Sequence, residues 1–137
     1  MLDIRDIDVT DRSAAVELWK ECGLTVPWND PIADYDRALE NPSSKILGGF
    51  IDEELVSTLM VGYEGHRGWI YYLAVAQAYR RNGLAKRLIY DAELWLRSLG
   101  APKVMLMVRK GNTDGEALYE SLGYEVSDVT TYGKFFS

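Results

Sequence analysis

Residues 71–108 constrain the architecture more tightly than any other stretch. An apolar run, Tyr71-Tyr72-Leu73-Ala74-Val75, ends in a short polar, basic turn, and Gly83 then opens a long helical pattern. Leu84, Leu88, Ile89, Ala92, Trp95, Leu96 and Leu99 recur at a 3.6-residue period, as one buried helix face requires. Gly100 and Pro102 stop that helix, and 104–108 is apolar without alternation, the pattern of a strand covered on both faces. A strand, a long helix and a second strand in this order form a crossover unit whose strands run parallel. The same segment defines an anion site. A helix N-terminus presents unpaired N–H groups and the positive end of the macrodipole, here beside Arg80, Arg81, Lys86 and Arg87.

The remaining patterns supply the rest of an α/β domain. Residues 2–9 read as a first strand. Thr10 or Asp11 can cap a helix that buries Ala15, Leu18, Trp19 and Cys22. Asp30 followed by Pro31 starts a second helix, which Asn41-Pro42 ends. Segments 45–51, 55–63 and 69–75, joined by tight polar turns, read as an antiparallel meander. Residues 113–122 form a shorter helix closed by Gly123, and 124–136 is expected to add final β structure. The expectation is one domain over 1–137, with a central mixed sheet flanked by about four helices.

Composition excludes several functions. A net charge of −6 argues against nucleic acid as the main partner, because neutralising phosphates needs basic clusters. It suits a cationic amine, and simple solubility explains it equally well. One cysteine and one histidine leave no disulfide framework and little for a metal site, so no metal is expected. No apolar run approaches a membrane span, and residues 1–6 lack a signal peptide's apolar core; a cytoplasmic location and no membrane partner are expected.

Two motifs carry chemistry. The first is Arg80-x-x-Gly83-x-Ala85, where glycine lets backbone amides approach a phosphate. An ordinary helix start with glycine near its cap has the same appearance. No Lys-Ser/Thr pair follows, and the three-glycine dinucleotide fingerprint is absent. The second is Asn112-Thr113-Asp114-Gly115-Glu116-Ala117-Leu118-Tyr119-Glu120-Ser121-Leu122-Gly123-Tyr124. Together they resemble the pyrophosphate loop and the C-terminal motif, N-x-x-A-x-x-L-Y-x-x-x-G-F/Y, of the GCN5-related N-acetyltransferases, with Gly115 where alanine is usual. The specific matches lie between about residues 73 and 124, while the element order is shared along nearly the whole chain. Pro27-Trp28-Asn29-Asp30-Pro31, Gly62-Tyr63-Glu64-Gly65-His66-Arg67-Gly68 and Tyr71-Tyr72-Leu73 are similar to the bacterial YpeA-like subgroup.

The resemblance implies a splayed sheet whose gap admits the pantetheine arm of acetyl-coenzyme A. Leu73, Ala74 and Val75 would align pantetheine through their backbone. Arg80, Arg81, Asn82, Gly83, Leu84, Ala85 and Lys86 would bind the pyrophosphate, and Asn112 would touch the pantetheine arm. Tyr119 would protonate the departing sulfur, a role suited to a phenol because it adds no competing nucleophile; a packed helical tyrosine is the ordinary alternative. Gln77 stands where proline is common in the family loop and Arg81 where glycine is common; Arg81 fits if its φ is negative.

The proton acceptor stays open. Where histone-type members place a glutamate this chain has Trp69, and where ribosomal N-terminal acetylating members place one it has Met107. Glu64, His66, or a water held by backbone carbonyls or Tyr72, are the remaining candidates. Trp28, Asn29 and Asp30 occupy the region that forms one acceptor wall in the family, though Trp28 can equally be a core anchor and Asp30 a helix cap. Cys22 lies on an apolar stripe and reads as packing, which leaves direct amine attack without an acetyl-enzyme. The implied acceptor is a small-molecule amine or a peptide amine, and exposed β edges toward the C-terminal end suit a homodimer. The rival reading is a non-catalytic sensor that only binds acetyl-coenzyme A.

Overall fold

The computed structural model describes residues 1–136. Its elements follow in the order β1 (Leu2–Asp6), a 3-10 turn (Val9–Asp11), α1 (Arg12–Glu21), α2 (Pro31–Glu40), β2 (Ser44–Ile51), β3 (Glu54–Tyr63) and β4 (Gly68–Val75). A second 3-10 turn (Gln77–Tyr79), α3 (Leu84–Ser98), β5 (Val104–Leu106) and α4 (Thr113–Ser121) complete it. The described residues form two compact units, one over 1–107 and one from 108 onward.

The first unit holds the whole sheet, in the order β1-β2-β3-β4-β5. The meander appears as expected, antiparallel from β1 to β4. The α3 crossover makes β5 parallel to β4. The two strands pair only at Gly68↔Val104, Trp69↔Met105 and Ile70↔Leu106. Beyond Ile70, β4 continues to Val75 with no strand on its β5 side among the described residues.

Both faces of the sheet are covered, so Val56, Ser57, Thr58 and Leu59 are buried in succession. Ala15, Leu18 and Trp19 of α1 and Tyr35 and Ala38 of α2 pack with Ile46, Phe50 and Ala74. The α3 face buries Leu84, Leu88, Ile89, Ala92 and Leu96. Helix α3 approaches β4 so closely that a Cβ on Gly68 would lie 2.5 Å from Leu96 Cδ1.

Local signals placed the helix starts with one adjustment. Asp30 caps α2 by accepting from the Ile32 and Ala33 amides, with Pro31 at the first position. Before α1, Asp8 forms a capping box around the 3-10 turn, so Asp11 receives the Asp8 amide and makes no cap bond of its own to α1. The first strand therefore stops at Asp6.

Three expectations are overturned. No strand forms over 124–136; Val126, Val129, Tyr132, Phe135 and Phe136 stay exposed, and residues of high β propensity do not make a strand without a neighbour to pair with. Strand β5 ends at Leu106 and is only half-buried, with Met107 exposed. Leu99, at the frayed end of α3, is 45% exposed and outside the core. No helix among the described residues is long and apolar enough to cross a membrane.

Candidate functional site

The basic turn between β4 and α3 sits on a left-handed kink. Gly83, at the N-cap of α3, has φ +78°, and an added Cβ would meet nothing within 4 Å. Glycine is therefore required by conformation, and the space beside the backbone is open. No side chain caps α3 and no acid stands in its first turn, so the amides of Leu84, Ala85 and Lys86 and the dipole's positive end are uncompensated by side chains. Arg80, Arg81, Asn82, Gly83 and Lys86 are exposed, whereas Leu84 is buried and can offer only its backbone. The expectation of a negative φ at Arg81 is wrong. Its φ is +66°, so an arginine occupies a backbone state that favours glycine. Arg80 folds back: its Nε donates to the Val75 carbonyl at 3.0 Å, and Nη2 lies 3.6 Å from Cys22 Sγ. The Cys22 thiol also contacts that carbonyl, at 3.5 Å, and is half-buried against the core, as expected of a packing residue.

Upstream, β4 carries a bulge that the sequence did not announce. Thr58 pairs with Ala74 and Met60 with Tyr71, so Leu59 alone opposes Tyr72 and Leu73. Tyr72 takes φ +51°, an uncommon state for a bulky residue. Three contacts of its own, and one bond behind them, hold it there. Its ring stacks on Trp19 at 3.8 Å between centroids; its carbonyl accepts from Thr58 Oγ1 at 3.0 Å. Thr58 Oγ1 in turn accepts from Trp19 Nε1 at 2.9 Å, and the Tyr72 hydroxyl donates to Asp34 Oδ2 at 2.7 Å. Burial first, and the Asp34 bond second, push the Tyr72 phenol far above its ordinary range. It is a proton donor to Asp34, not a base.

Asp34 and Tyr72 stand at one side of an open cleft of about 540 Å3 between α2 and the β3–β4 hairpin. Tyr71, Trp69, Met60 and Glu64 line it as well. Arg37, the one cationic side chain among the lining residues, is ion-paired with Asp34. Trp69 and Tyr71 stack at 6.2 Å. The two candidate bases are turn residues. Glu64 Oε1 accepts from the His66 and Arg67 amides at 2.6 and 2.5 Å, which lowers its pKa, and His66 is exposed in the same turn. Asp30 caps α2, and Trp28 is 63% exposed, so it is not a core anchor.

The second unit is built on α4. Asn112 Oδ1 caps it by accepting from the Gly115 amide at 3.0 Å. A Cβ on Gly115 would lie 2.6 Å from Asn112 Nδ2, so the glycine makes room for this cap. Tyr119 packs edge-on against Tyr124 at 5.8 Å, and burial raises its phenol pKa. It therefore carries its proton at neutral pH and can act as an acid.

Comparison with known proteins follows the same lines. The model of the Acetyltransferase (GNAT) family matches residues 7–124. Acetyltransferase ECA0875 of Pectobacterium atrosepticum is 41% identical over 133 residues, spanning 97% of this chain and 94% of that protein. Among solved structures, AAC(6')-Iy in complex with a bisubstrate analogue superposes with a TM-score of 0.84 at 20% identity, over 98% of this chain and 99% of that one. A ribosomal-protein-alanine N-acetyltransferase from Brucella melitensis gives a TM-score of 0.78 at 20% identity, with each chain fully covered.

Proposed function

Because the chain belongs to the GNAT acetyltransferase family, whose members transfer the acetyl group of acetyl-coenzyme A to an amine, we propose how its own residues divide that work. The observation that carries the assignment is the uncapped N-terminus of α3. It follows the 3-10 turn and basic turn after β4 and opens on Gly83 at φ +78°, and β4 has no strand partner on its β5 side after Ile70 among the described residues. Residues 1–137 act in this reading as one acetyltransferase domain.

Arg80, Arg81, Asn82, Gly83, Leu84, Ala85 and Lys86 bind the pyrophosphate, mainly through backbone amides with exposed cations beside them. Leu73, Ala74 and Val75 align the pantetheine arm by main-chain bonds, and Asn112 contacts it. Acetyl-coenzyme A supplies a thioester whose C–S bond breaks as the C–N bond forms. Tyr119 gives its proton to the leaving sulfur and regains one from solvent. The acceptor must shed a proton before its lone pair can attack. With Glu64 and His66 in the hairpin turn, we assign that proton to a water held by backbone carbonyls or Tyr72 at the cleft that Tyr71 and Tyr72 line.

The acceptor belongs among small-molecule or peptide amines. AAC(6')-Iy, in complex with the bisubstrate analogue CoA-S-monomethyl-acetylneamine, is one neighbour that supports the small-molecule side. The YpeA-like assignment rests on the hairpin and Tyr71-Tyr72-Leu73 strings, and a cytoplasmic location on composition. A homodimer is supported by the exposed apolar side chains of 126–136. The expectation of a non-catalytic sensor has no observation in its favour.

Tyr119→Phe tests the division of labour. Acetyl-coenzyme A affinity by calorimetry should stay within about twofold, while kcat falls by roughly 10²-fold or more. Equal turnover by the two proteins removes Tyr119 from the mechanism.

A further inference from the structure

The cleft beside β4 combines an anion and an aromatic wall in a way the reacting amine alone does not explain. Glu64 is pinned by the His66 and Arg67 amides, bonds that hold the carboxylate in place and in its charged form. Its charge reaches Tyr71, whose phenol it helps to raise. Tyr71 stacks on Trp69, and all three line the same cleft. Arg37 pairs with Asp34, so the lining carries one more negative charge than positive. A cation in contact with a carboxylate keeps its proton, because the opposite charge favours the protonated form. The reacting nitrogen has to lose its proton. A carboxylate held in its charged form by two amide hydrogen bonds is a weakened base, and would therefore oppose the reaction if the reacting amine were its partner.

We propose that the acceptor carries two basic nitrogens: a primary amine that is acetylated near Tyr72, and a second cationic group held by Glu64 and the faces of Trp69 and Tyr71. A positive group against an aromatic face and a carboxylate gains from both. The second cation survives the reaction, so its contact serves binding and leaves the attacking lone pair free. This inference rests on the transferase reading given above.

The test compares 1,4-diaminobutane with 1-aminobutane as acceptors, read by coenzyme A release. Wild type should prefer the diamine by roughly tenfold in kcat/KM, with the difference in KM. Glu64→Gln keeps an oxygen to accept from both turn amides, so the hairpin is retained; the diamine-to-monoamine ratio should fall to near one. Trp69→Leu should lower the same ratio by removing the aromatic face. A wild-type ratio near one, or a ratio unmoved by Glu64→Gln, overturns the proposal. If neither amine is acetylated although acetyl-coenzyme A binds, these two amines are not acceptors, and calorimetry on the cleft decides the cation site separately. Diamine binding that Glu64→Gln abolishes upholds the cation site, while equal binding of both amines overturns it.

Discussion

Arg81 is the residue at which conformation and charge disagree. Its φ of +66° favours glycine, and its side chain adds a cation to the turn proposed to bind phosphate. A left-handed non-glycine residue costs about 1 kcal/mol relative to glycine. Arg81→Gly should therefore raise the thermal midpoint, by a few degrees at most, because glycine also loosens the unfolded chain. Coenzyme A affinity, measured by calorimetry, should weaken severalfold in the same variant. A variant that is stabler and binds equally well would mean the arginine contributes nothing to the phosphate. Gly115 shows the converse arrangement, a glycine required by its neighbour and not by φ. Gly115→Ala brings a methyl to about the position 2.6 Å from Asn112 Nδ2, so the Asn112 cap must move. Losing that cap should cost about 1 kcal/mol, read as reduced helix content on heating.

At the scale of elements, the bulge in β4 is held from outside the strand. Thr58 of β3 accepts from Trp19 of α1 and donates to the Tyr72 carbonyl, while Asp34 of α2 takes the Tyr72 hydroxyl. Thr58→Val keeps shape and removes both bonds, leaving a buried indole N–H unpaired. We expect a loss of about 1–3 kcal/mol in urea denaturation, with kcat falling more than acetyl-coenzyme A affinity. The meander, the α3 crossover and the Asp30-Pro31 start of α2 were legible in the sequence because each rests on spacing within one segment. The bulge was not, because Tyr71-Tyr72-Leu73 reads as plain strand and the contacts that shift it come from Trp19, Asp34 and Thr58. Asp34 itself looks like any acid on a solvated helix face. The strand expected over 124–136 failed for a related reason: propensity supplies residues for a strand but no partner.

For the whole molecule, the sign of the charge changes between general surface and loop. The chain carries −6 overall, yet Arg80, Arg81, Lys86 and Arg87 gather at one helix opening. Such a patch draws a polyanionic donor to one place, while the acidic remainder suits cationic acceptors. Coenzyme A binding should weaken severalfold between 50 and 500 mM salt, a range in which the Debye length shortens from above 10 Å toward about 4 Å. Salt-independent affinity would show that backbone amides alone hold the pyrophosphate.

The bond from Tyr72 to Asp34 also limits how this enzyme can change. In the proposed reading the cleft takes the acceptor, so varying its wall should alter acceptor preference, and α2 supplies Asp34, Arg37 and Ala38 of that wall. Substitutions at Asn41, and at Arg37 despite its ion pair with Asp34, leave the Tyr72–Asp34 hydrogen bond itself in place and are open to drift or laboratory selection. Position 34 is different, because replacing it removes the acceptor of the Tyr72 hydroxyl and so a support of the strand proposed to align the donor. A library randomised across α2 should thus return active clones varied at 37 and 41 but nearly uniform at 34, an inherited brake on the search for new acceptors.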